Sequence, residues 1–402
     1  MKVLRFGILL LFASLFVFVL SCKKNNEDDD GGNGGDDQKE VLEFFSTYYE
    51  IGAQAVPKYI SRFTYEDGEL TIAQELDKVA GDAYGIMKVM DHRNDYIAFY
   101  ADKENFADKK YHFVYYNRQD KNTVTLPEIA APEGFETVTV KMCPRITDNG
   151  KIYYMQKFTN TSIDEYITGN IVEYDINSAT ANPLPSVKDF ILSQEELDDD
   201  PTDATIDPDT QIEVSKDGKY IYMNSIAFHI NGVVFEQDKE FLIRYNTQTG
   251  EYEKIDAATD IILAGMSQDD KHIYYRQNVS WKKANIDDAG NFSLVLLDNS
   301  GFDYGSFPVQ RQARYGTKIV YIKNHKLFLK DLEAETQELL VDEPAIKNAQ
   351  FDAGGENIFF VKDKGDTRFT LRLNKPDDEI KTDTLFSFDY HYKMDLLFLN
   401  GE

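Results

Sequence analysis

The 402-residue sequence contains none of the short motifs that carry hydrolytic, phosphate-binding or metal-dependent chemistry. It has no His-Glu-x-x-His, no Walker loop and no Gly-x-Ser-x-Gly, and the stretch Gly265-Met266-Ser267-Gln268-Asp269 ends on Asp where the last motif requires Gly. The six histidines are dispersed without the spacing of metal ligands. We therefore predict no catalytic residue, no metal site and no cofactor, and the sequence favours a binding protein over an enzyme.

Positive charge is also scarce. The chain has 43 Lys and Arg against 70 Asp and Glu, which gives a formal net charge of −27. Because such a surface repels phosphate backbones, nucleic acid is excluded as a partner. The acidic run from Glu195 to Asp209 lacks the ordered spacing of a calcium loop, so we expect a solvated insertion there.

Long apolar runs are limited to one, from Phe6 to Leu20, near the start of the chain. It is shorter than the roughly 20 residues that a membrane-spanning helix needs. Lys2 and Arg5 precede it, and Ser21-Cys22 follows it. Positive charge, apolar stretch and a small-residue boundary, in that order, are the layout of a secretory signal.

The stretch Val19-Leu20-Ser21-Cys22 resembles the lipobox of bacterial lipoproteins, in which the cysteine is acylated and becomes the mature N-terminus. The resemblance implies a signal peptide at 1–21, lipid on Cys22 and an anchor of more than one acyl chain, which holds stably. Lys23, where Asp would favour the inner membrane, implies the outer membrane. The acidic cluster Glu27 to Asp30 resembles surface-export signals of some Gram-negative lineages and would serve equally as a spacer. Whether the protein faces the periplasm or the cell surface therefore stays open.

Residues 22–40 form the second predicted segment. They are rich in Asp, Asn and Gly, cannot bury apolar surface, and are expected to be a disordered tether behind the lipid. With Cys22 acylated, Cys143 has no cysteine partner, so we predict a buried thiol there.

The third predicted segment, 41–402, carries a repeat. An apolar residue, a polar turn often containing Asn-Gly or Asp-Gly, and a run rich in Ile or Tyr recur along it. The copies are Met90–Ile97, Ile146–Tyr153, Val214–Ile221, Met266–Ile273, Ala313–Ile319 and Phe351–Ile358. A strand, a polar turn and a second strand follow each copy, beginning at His112, Ile171, Phe241, Leu294, Leu327 and Thr370.

A seventh strand pair, Tyr59 to Leu76, stands alone at the front, and its missing first element is expected from the last strand, Tyr390 to Leu399. Four-stranded units repeated radially form a β-propeller, which closure protects from exposed edges. The sequence therefore predicts an all-β fold, a propeller of seven blades with six as the alternative, closed between the N-terminal hairpin and the C-terminal strand.

The pattern Ser-x-Asp-Gly-Lys-x-Ile-Tyr at Ser215 to Tyr222 resembles the WD40-like repeat of TolB-type propellers, although Lys216 stands where that repeat usually has Pro. The same repeat occurs in propellers of prolyl-oligopeptidase-like peptidases, which carry a further hydrolase domain. The resemblance implies the fold more than an activity.

Strand alternation places the long segments on one face of such a propeller, where function concentrates. These segments are Gln156 to Gly169, Val187 to Gln211, Asn224 to Lys239 and Gln277 to Asn291. Trp281, the only tryptophan, is the candidate anchor because Trp is favoured at binding hot spots. Lys282 and Lys283 add local positive charge, and His229 and Tyr166 lie in two other long segments.

The sequence thus predicts a membrane-anchored binding lipoprotein whose loop-rich face takes an envelope protein, a peptide or a glycan. Two alternatives remain: a hydrolase or lyase acting on glycans or peptides, with carboxylates dispersed over the blades, and a TolB-like envelope component.

Overall fold

A computed structural model provides the structure of the protein, and the residues that it describes are 41–48, 59–66, 69–76, 84–103, 111–138, 144–163, 167–197, 201–231, 234–278, 280–287, 290–298, 314–334, 336–351, 355, 357–364, 367–374, 381–389 and 397–398. Almost all of them are strand or turn. Cys22, Cys143, Tyr166 and the predicted signal and tether lie outside these ranges.

The polar turns of the repeat close antiparallel hairpins, as predicted. Gly150 and Gly218 have φ angles of 77° and 71°, the left-handed region that glycine enters without steric cost. Asp270 holds the corresponding turn with a φ of 62°, because Asp tolerates this region better than most residues. The missing glycine in that copy is therefore compatible with the same turn.

The two ends of the described chain share one sheet. Its strand order is β3, β2, β1, β30, with Phe44 opposite Phe398 across the β1–β30 pair. These strands are β1 (Val41–Tyr48), β2 (Tyr59–Glu66), β3 (Glu69–Leu76) and β30 (Leu397–Phe398). The predicted closure is confirmed, with one difference: β1 lies between the N-terminal hairpin and the last strand.

The second sheet is a plain four-stranded meander with each strand beside the next in sequence. It consists of β4 (Tyr84–Arg93), β5 (Tyr96–Lys103), β6 (Tyr111–Asn117) and β7 (Asn122–Thr125).

The third sheet has ten strands and contains two such meanders. The first meander is β9 (Arg145–Ile146), β10 (Lys151–Asn160), β11 (Ile167–Asp175) and β12 (Thr180–Pro183). The second is β14 (Glu213–Val214), β15 (Tyr220–Asn231), β16 (Val234–Asn246) and β17 (Glu251–Ala258). Two further strands join this sheet, β8 (Phe135–Val138) and β13 (Asp203–Ile206), and a short helix, α1 (Lys188–Leu192), precedes β13.

Three more four-stranded meanders complete the described chain. One is β18 (Ile261–Met266), β19 (His272–Gln277), β20 (Ser280–Ile286) and β21 (Phe292–Asp298). The next is β22 (Arg314–Tyr315), β23 (Lys318–Lys323), β24 (Lys326–Asp331) and β25 (Thr336–Val341). The last is β26 (Ile346–Phe351), β27 (Ile358–Lys364), β28 (Thr367–Asn374) and β29 (Lys381–Asp389).

The core lies between consecutive meanders. Buried Tyr222 and Leu242 of one meander pack with Ile261 and Tyr275 of the next, so each unit covers the apolar face of its neighbour. The fold is an all-β propeller built from four-stranded antiparallel units. The described strands group into seven such units, two of them fused, while the blade count of the ring stays a prediction.

Candidate functional site

The short-turn face, which carries the turns after the first strand of each unit, is held together by bonds between neighbouring units. The Asp148 backbone N–H donates to the Lys216 carbonyl (2.8 Å), and the Lys216 N–H donates to Asp270 Oδ2 (2.6 Å). These bonds occupy backbone groups that would otherwise face solvent or a ligand. The short-turn face therefore has a structural role here.

The inner strands carry a buried charge cluster. Arg145 donates two hydrogen bonds of 3.2 Å to the Glu213 carboxylate, and Arg314 Nη2 lies 3.7 Å from the same group. All three side chains are at most 5% exposed. Arg314 also donates to the Ala264 carbonyl (2.7 Å), above Gly265. The cluster links inner strands of three units and is closed to a ligand of any size.

The long-loop face, opposite the short turns, has a feature that the repeat does not predict. β15 and β16 continue as one hairpin to Asn231 and Val234. All four residues of β13 pair with β15, and Ile206 of β13 also pairs with Gly169 of β11. β8 pairs with the end of β10. Six strand segments thus form what we term the bridging sheet: β8, β13, and residues 157–160, 167–170, 224–231 and 234–240 of β10, β11, β15 and β16.

A small apolar cluster supports the bridging sheet. Ile226 and Phe228 are buried, and Phe135, Ile163 and Ile230 pack against them. Because these residues come from β8, the β10–β11 loop and β15, their contacts hold the two fused units together on this face.

A groove of about 200 Å³ opens at the bridging sheet where β12 and β13 diverge from the edge of β11. Its apolar lining consists of Pro132, Phe158, Pro185, Val187, Ala204 and Ile206. Its polar lining consists of Thr168, Asn170, Ser186 and Thr205, beside the backbone of Gly169. None of the described residues that line it is charged, in a protein that is acidic as a whole.

The position of Gly169 fixes the wall of this groove. A Cβ atom at this residue would lie 2.7 Å from the Ile206 carbonyl oxygen and 3.1 Å from Pro208 Cβ. The Gly169 N–H donates to Thr205 Oγ1 (3.2 Å), which joins β11 to β13. Only glycine allows the two strands to approach this closely.

Two carboxyl groups near the bridging sheet have raised pKa values. Burial raises the pKa of Asp207, although the hydrogen bond from the Asp209 N–H to its carboxylate opposes the rise more than the charge of Asp209 adds to it. Burial likewise raises the pKa of Glu240, to which the charges of Asp207 and Asp260 contribute. Glu240 also accepts from the Ile261 N–H (2.6 Å) and from Gln237 Nε2 (2.6 Å). Within the described ranges, no three His, Cys, Asp or Glu side chains are grouped to hold a metal ion.

The structure corrects the location of Trp281. Its side chain is 1% exposed and packs with Tyr274, Ile319 and Leu332, in the third strand of its unit rather than in a loop. An exposed anchor at this position is therefore wrong, and the packing alternative fits. Lys282 pairs with Asp256 (3.0 Å), and Lys283, 2% exposed, pairs with Glu333 (3.2 Å), so neither presents free charge to a partner.

Of the other candidate residues, His229 lies on the bridging sheet, in β15 opposite Glu236, and is partly buried. Tyr166 lies outside the described residues. Three of the four long segments prove to be mostly strand: Gln156 to Gly169 contains the ends of β10 and β11, Asn224 to Lys239 is a hairpin, and Gln277 to Asn291 contains β20. The predicted loop face thus carries a sheet and a groove, centred on Gln156 to Gly169 and Val187 to Gln211.

The acidic run from Glu195 to Asp209 is likewise not a purely solvated insertion. Ala204, Thr205 and Ile206 are buried in β13 at the centre of the ten-stranded sheet. The groove residues escaped motif reasoning, because Thr, Asn, Ser and Pro in separate segments form no pattern. The one signal was the short Ala-Thr-Ile run within an otherwise acidic segment.

Among the described residues, no helix has the length and apolarity needed to cross a membrane.

Comparison with known proteins finds no matching family model and no matching curated protein. Solved structures with a similar course include oligogalacturonate lyase from Vibrio parahaemolyticus, at 10% identity, 86% and 85% coverage of the two chains and a TM-score of 0.42. TolB from Acinetobacter baumannii is 13% identical, with 84% of this chain and 78% of that chain covered and a TM-score of 0.36. A periplasmic gluconolactonase of Pseudomonas aeruginosa is 10% identical, with 90% of this chain and 100% of that chain covered and a TM-score of 0.43. At these values the comparisons carry no argument about the site or the activity of this chain.

Proposed function

We propose that this protein is a binding protein of the bacterial envelope and that it takes its partner on the bridging sheet. The observation that carries the proposal is the groove at the edge of β11, on the face where the chain departs from its repeat. Concave, mostly apolar sites with a few polar groups are the usual form of ligand sites. A rigid sheet beneath the groove keeps its shape without a ligand, which lowers the cost of binding.

The test compares the two faces with matched charge insertions. Ser162 is exposed in the β10–β11 loop, and Gln248 is exposed in a short turn on the opposite face. The full chain, purified in a detergent without a sugar headgroup, is immobilised and presented with envelope proteins and an oligosaccharide panel. Ser162→Arg should bind less of any protein or oligosaccharide that the wild type binds, whereas Gln248→Arg should bind it like the wild type. Loss of binding in Gln248→Arg but not in Ser162→Arg would show that the partner binds the short-turn face and would refute the proposal.

The proposal includes anchoring through lipid on Cys22 in the outer membrane, which rests on the sequence at Val19 to Cys22. Cells grown with labelled fatty acid should label the wild type and the matched variant Cys143→Ala. Cys22→Ala should remain an unlabelled precursor, and continued labelling of that variant would refute the anchor. Fractionation of the labelled protein tests whether it resides in the outer membrane.

A second candidate function, an enzyme acting on glycans or peptides, draws on Asp207 and Glu240. A carboxyl group with a raised pKa can remain protonated closer to neutral pH and act as a general acid. Turnover of oligosaccharides or peptides that is lost in Asp207→Asn and Glu240→Gln, with folding retained, would favour this function. Binding without turnover favours the first.

A further inference from the structure

The chemistry of the groove at β11 narrows the class of ligand. The lining residues that the structure describes carry no charge, in a protein with a net charge of −27. The nearby cation Lys157 already pairs with Asp209 (2.5 Å) on the bridging sheet. A uronate or phosphate would therefore enter without a counter-charge, against the field of the whole protein, and desolvation of that ligand charge would not be offset.

The polar groups on the lining argue against a purely apolar occupant. Thr168 and Ser186 offer hydroxyl groups, and Asn170 offers both the donor and the acceptor of an amide. A hydrocarbon side chain of a peptide would bury these groups without partners, which is unfavourable. An occupant with several hydroxyl groups, each both donor and acceptor, would satisfy them.

The groove also has a rigid apolar lining. Phe158 is 2% exposed, and Ile206 is held against β11 by the close Gly169 approach. A ligand that matches both the polar and the apolar lining has an apolar face and a rim of hydroxyl groups. A neutral pyranose has this form, because its axial C–H bonds make one face apolar while its hydroxyl groups project around the ring.

The volume sets the size of the occupant. About 200 Å³ is below the roughly 300 to 1,000 Å³ of sites that enclose drug-sized ligands. The rim residues Pro132, Pro185 and Ser186 are exposed, so the groove is open on one side. One ring would sit in the groove, and the rest of an oligosaccharide would continue over the bridging sheet.

We propose that the groove between β11, the segment after β12 and β13 binds one uncharged sugar residue of a glycan. This inference rests on the proposed binding function of the same face and names its ligand class. Asn170 and Thr168 provide the hydrogen bonds, and Phe158 and Ile206 of the apolar lining provide the apolar contacts.

The experiment measures affinity by calorimetry, with the full chain in a detergent that has no sugar headgroup. The probes are neutral oligosaccharides of hexoses and N-acetylhexosamines, and a matched set containing uronic acids. Asn170→Ala and Thr168→Val remove one polar group each from the groove. Their matched controls, Asn182→Ala and Thr180→Val, make the same changes at exposed positions of β12, outside the groove lining. Thermal melting of all four variants establishes that they fold.

A neutral oligosaccharide should bind, and each groove variant should weaken it by about three- to tenfold, the effect of one neutral hydrogen bond. The β12 controls should bind like the wild type. Preference for uronic acids, affinity unchanged by the groove variants, or no binding of any neutral sugar would each overturn the inference. If sugars bind independently of the groove variants but are lost in Ser162→Arg, the groove is not their site, while the proposed function of the face stands.

Discussion

At the residue scale, position 265 requires glycine for two reasons: the positive φ of its backbone and the space that the Arg314 side chain occupies. The φ of Gly265 is 146°, and a Cβ atom there would overlap the Arg314 guanidinium, which donates to the Ala264 carbonyl. Arg314 in turn lies beside Glu213, whose other partner is Arg145. A methyl group at Gly265 therefore disturbs a buried charge cluster, and removing a partner from such a cluster is costly.

We predict that Gly265→Ala lowers the free energy of unfolding by about 3 to 5 kcal/mol, the range for breaking a buried ion pair. Gly316→Ala is the matched control: its φ is also positive, at 54°, but nothing lies within 4 Å of the new Cβ. That control should cost about 1 to 2 kcal/mol, from backbone strain alone. If urea denaturation gives the same loss of unfolding free energy for Gly265→Ala and Gly316→Ala, the overlap with Arg314 has no effect on stability.

The imidazole of His92 makes the stability of the folded protein depend on pH. Burial and the charge of Arg118 lower the pKa of its imidazole from 6.5 to about 3. Between these values the unfolded chain binds a proton that the folded chain does not, so stability must rise with pH across this window.

We predict that His92 contributes stability that is complete above pH 6.5 and is lost as the pH falls toward 3, by up to about 1.4 kcal/mol per pH unit. The measurement is the difference in unfolding free energy between the wild type and His92→Gln at several pH values. Carboxyl groups affect both proteins alike and cancel in this difference. A difference that stays constant from pH 7 to pH 4 would refute the role of His92.

At the scale of strands, the repeat predicted most of the hairpins but missed those whose polar residues are paired within the protein. β20, Ser-Trp-Lys-Lys-Ala-Asn-Ile, reads as a loop because of its two lysines. Lys282 and Lys283 lie in the strand because Asp256 and Glu333 neutralise them, and such pairs are formed between segments distant in sequence. The same polar neighbours make the sequence predict a surface position for Trp281, which is buried in the structure.

β13 was missed for a related cause. Its four residues lie in an acidic segment, and its pairing partners Gly169 and Ser225 come from two different repeats. Tertiary context of this kind overrides local propensity. The fold class, the turns and the closure could be predicted because they repeat along the chain or pair its two ends. The bridging sheet and its groove could not, because they depart from the repeat.

The close approach of β11 and β13 at Gly169 in the bridging sheet can be tested by hydrogen exchange. Gly169→Ala places a Cβ atom 2.7 Å from the Ile206 carbonyl oxygen, so β11 and β13 must separate. Amide hydrogen exchange should then increase in β13, while amides of the second sheet, such as those of β5, keep their protection, because local opening need not involve the whole fold. Thr168→Ala, one residue away in the same strand, is the control and should leave exchange in β13 unchanged. Protection of β13 in Gly169→Ala equal to that of the wild type would contradict the constraint.

At the scale of the whole molecule, stability depends on a short contact between the chain ends. β30 adds Leu397 and Phe398 to β1, where Phe44 and Phe45 face them. Without this pair, the sheet of β1, β2 and β3 presents an unpaired edge, and the last strand no longer ties the final units to the first. Unpaired edges recruit other strands, so the open form should also associate.

We predict that deletion of residues 397–402 lowers the melting temperature and produces oligomers on size-exclusion chromatography. Deletion of 399–402 alone retains β30 and is the matched control, which should behave like the full chain. The comparison isolates two residues, Leu397 and Phe398, which pair with β1 at only two positions. A loss of several degrees in the longer deletion alone would therefore reflect cooperativity around the ring, in which each unit is stabilised by both neighbours. If both deletions melt like the full chain and remain monomeric, the β1–β30 contact does not hold the ring, and the units are stabilised by the contacts between consecutive meanders alone.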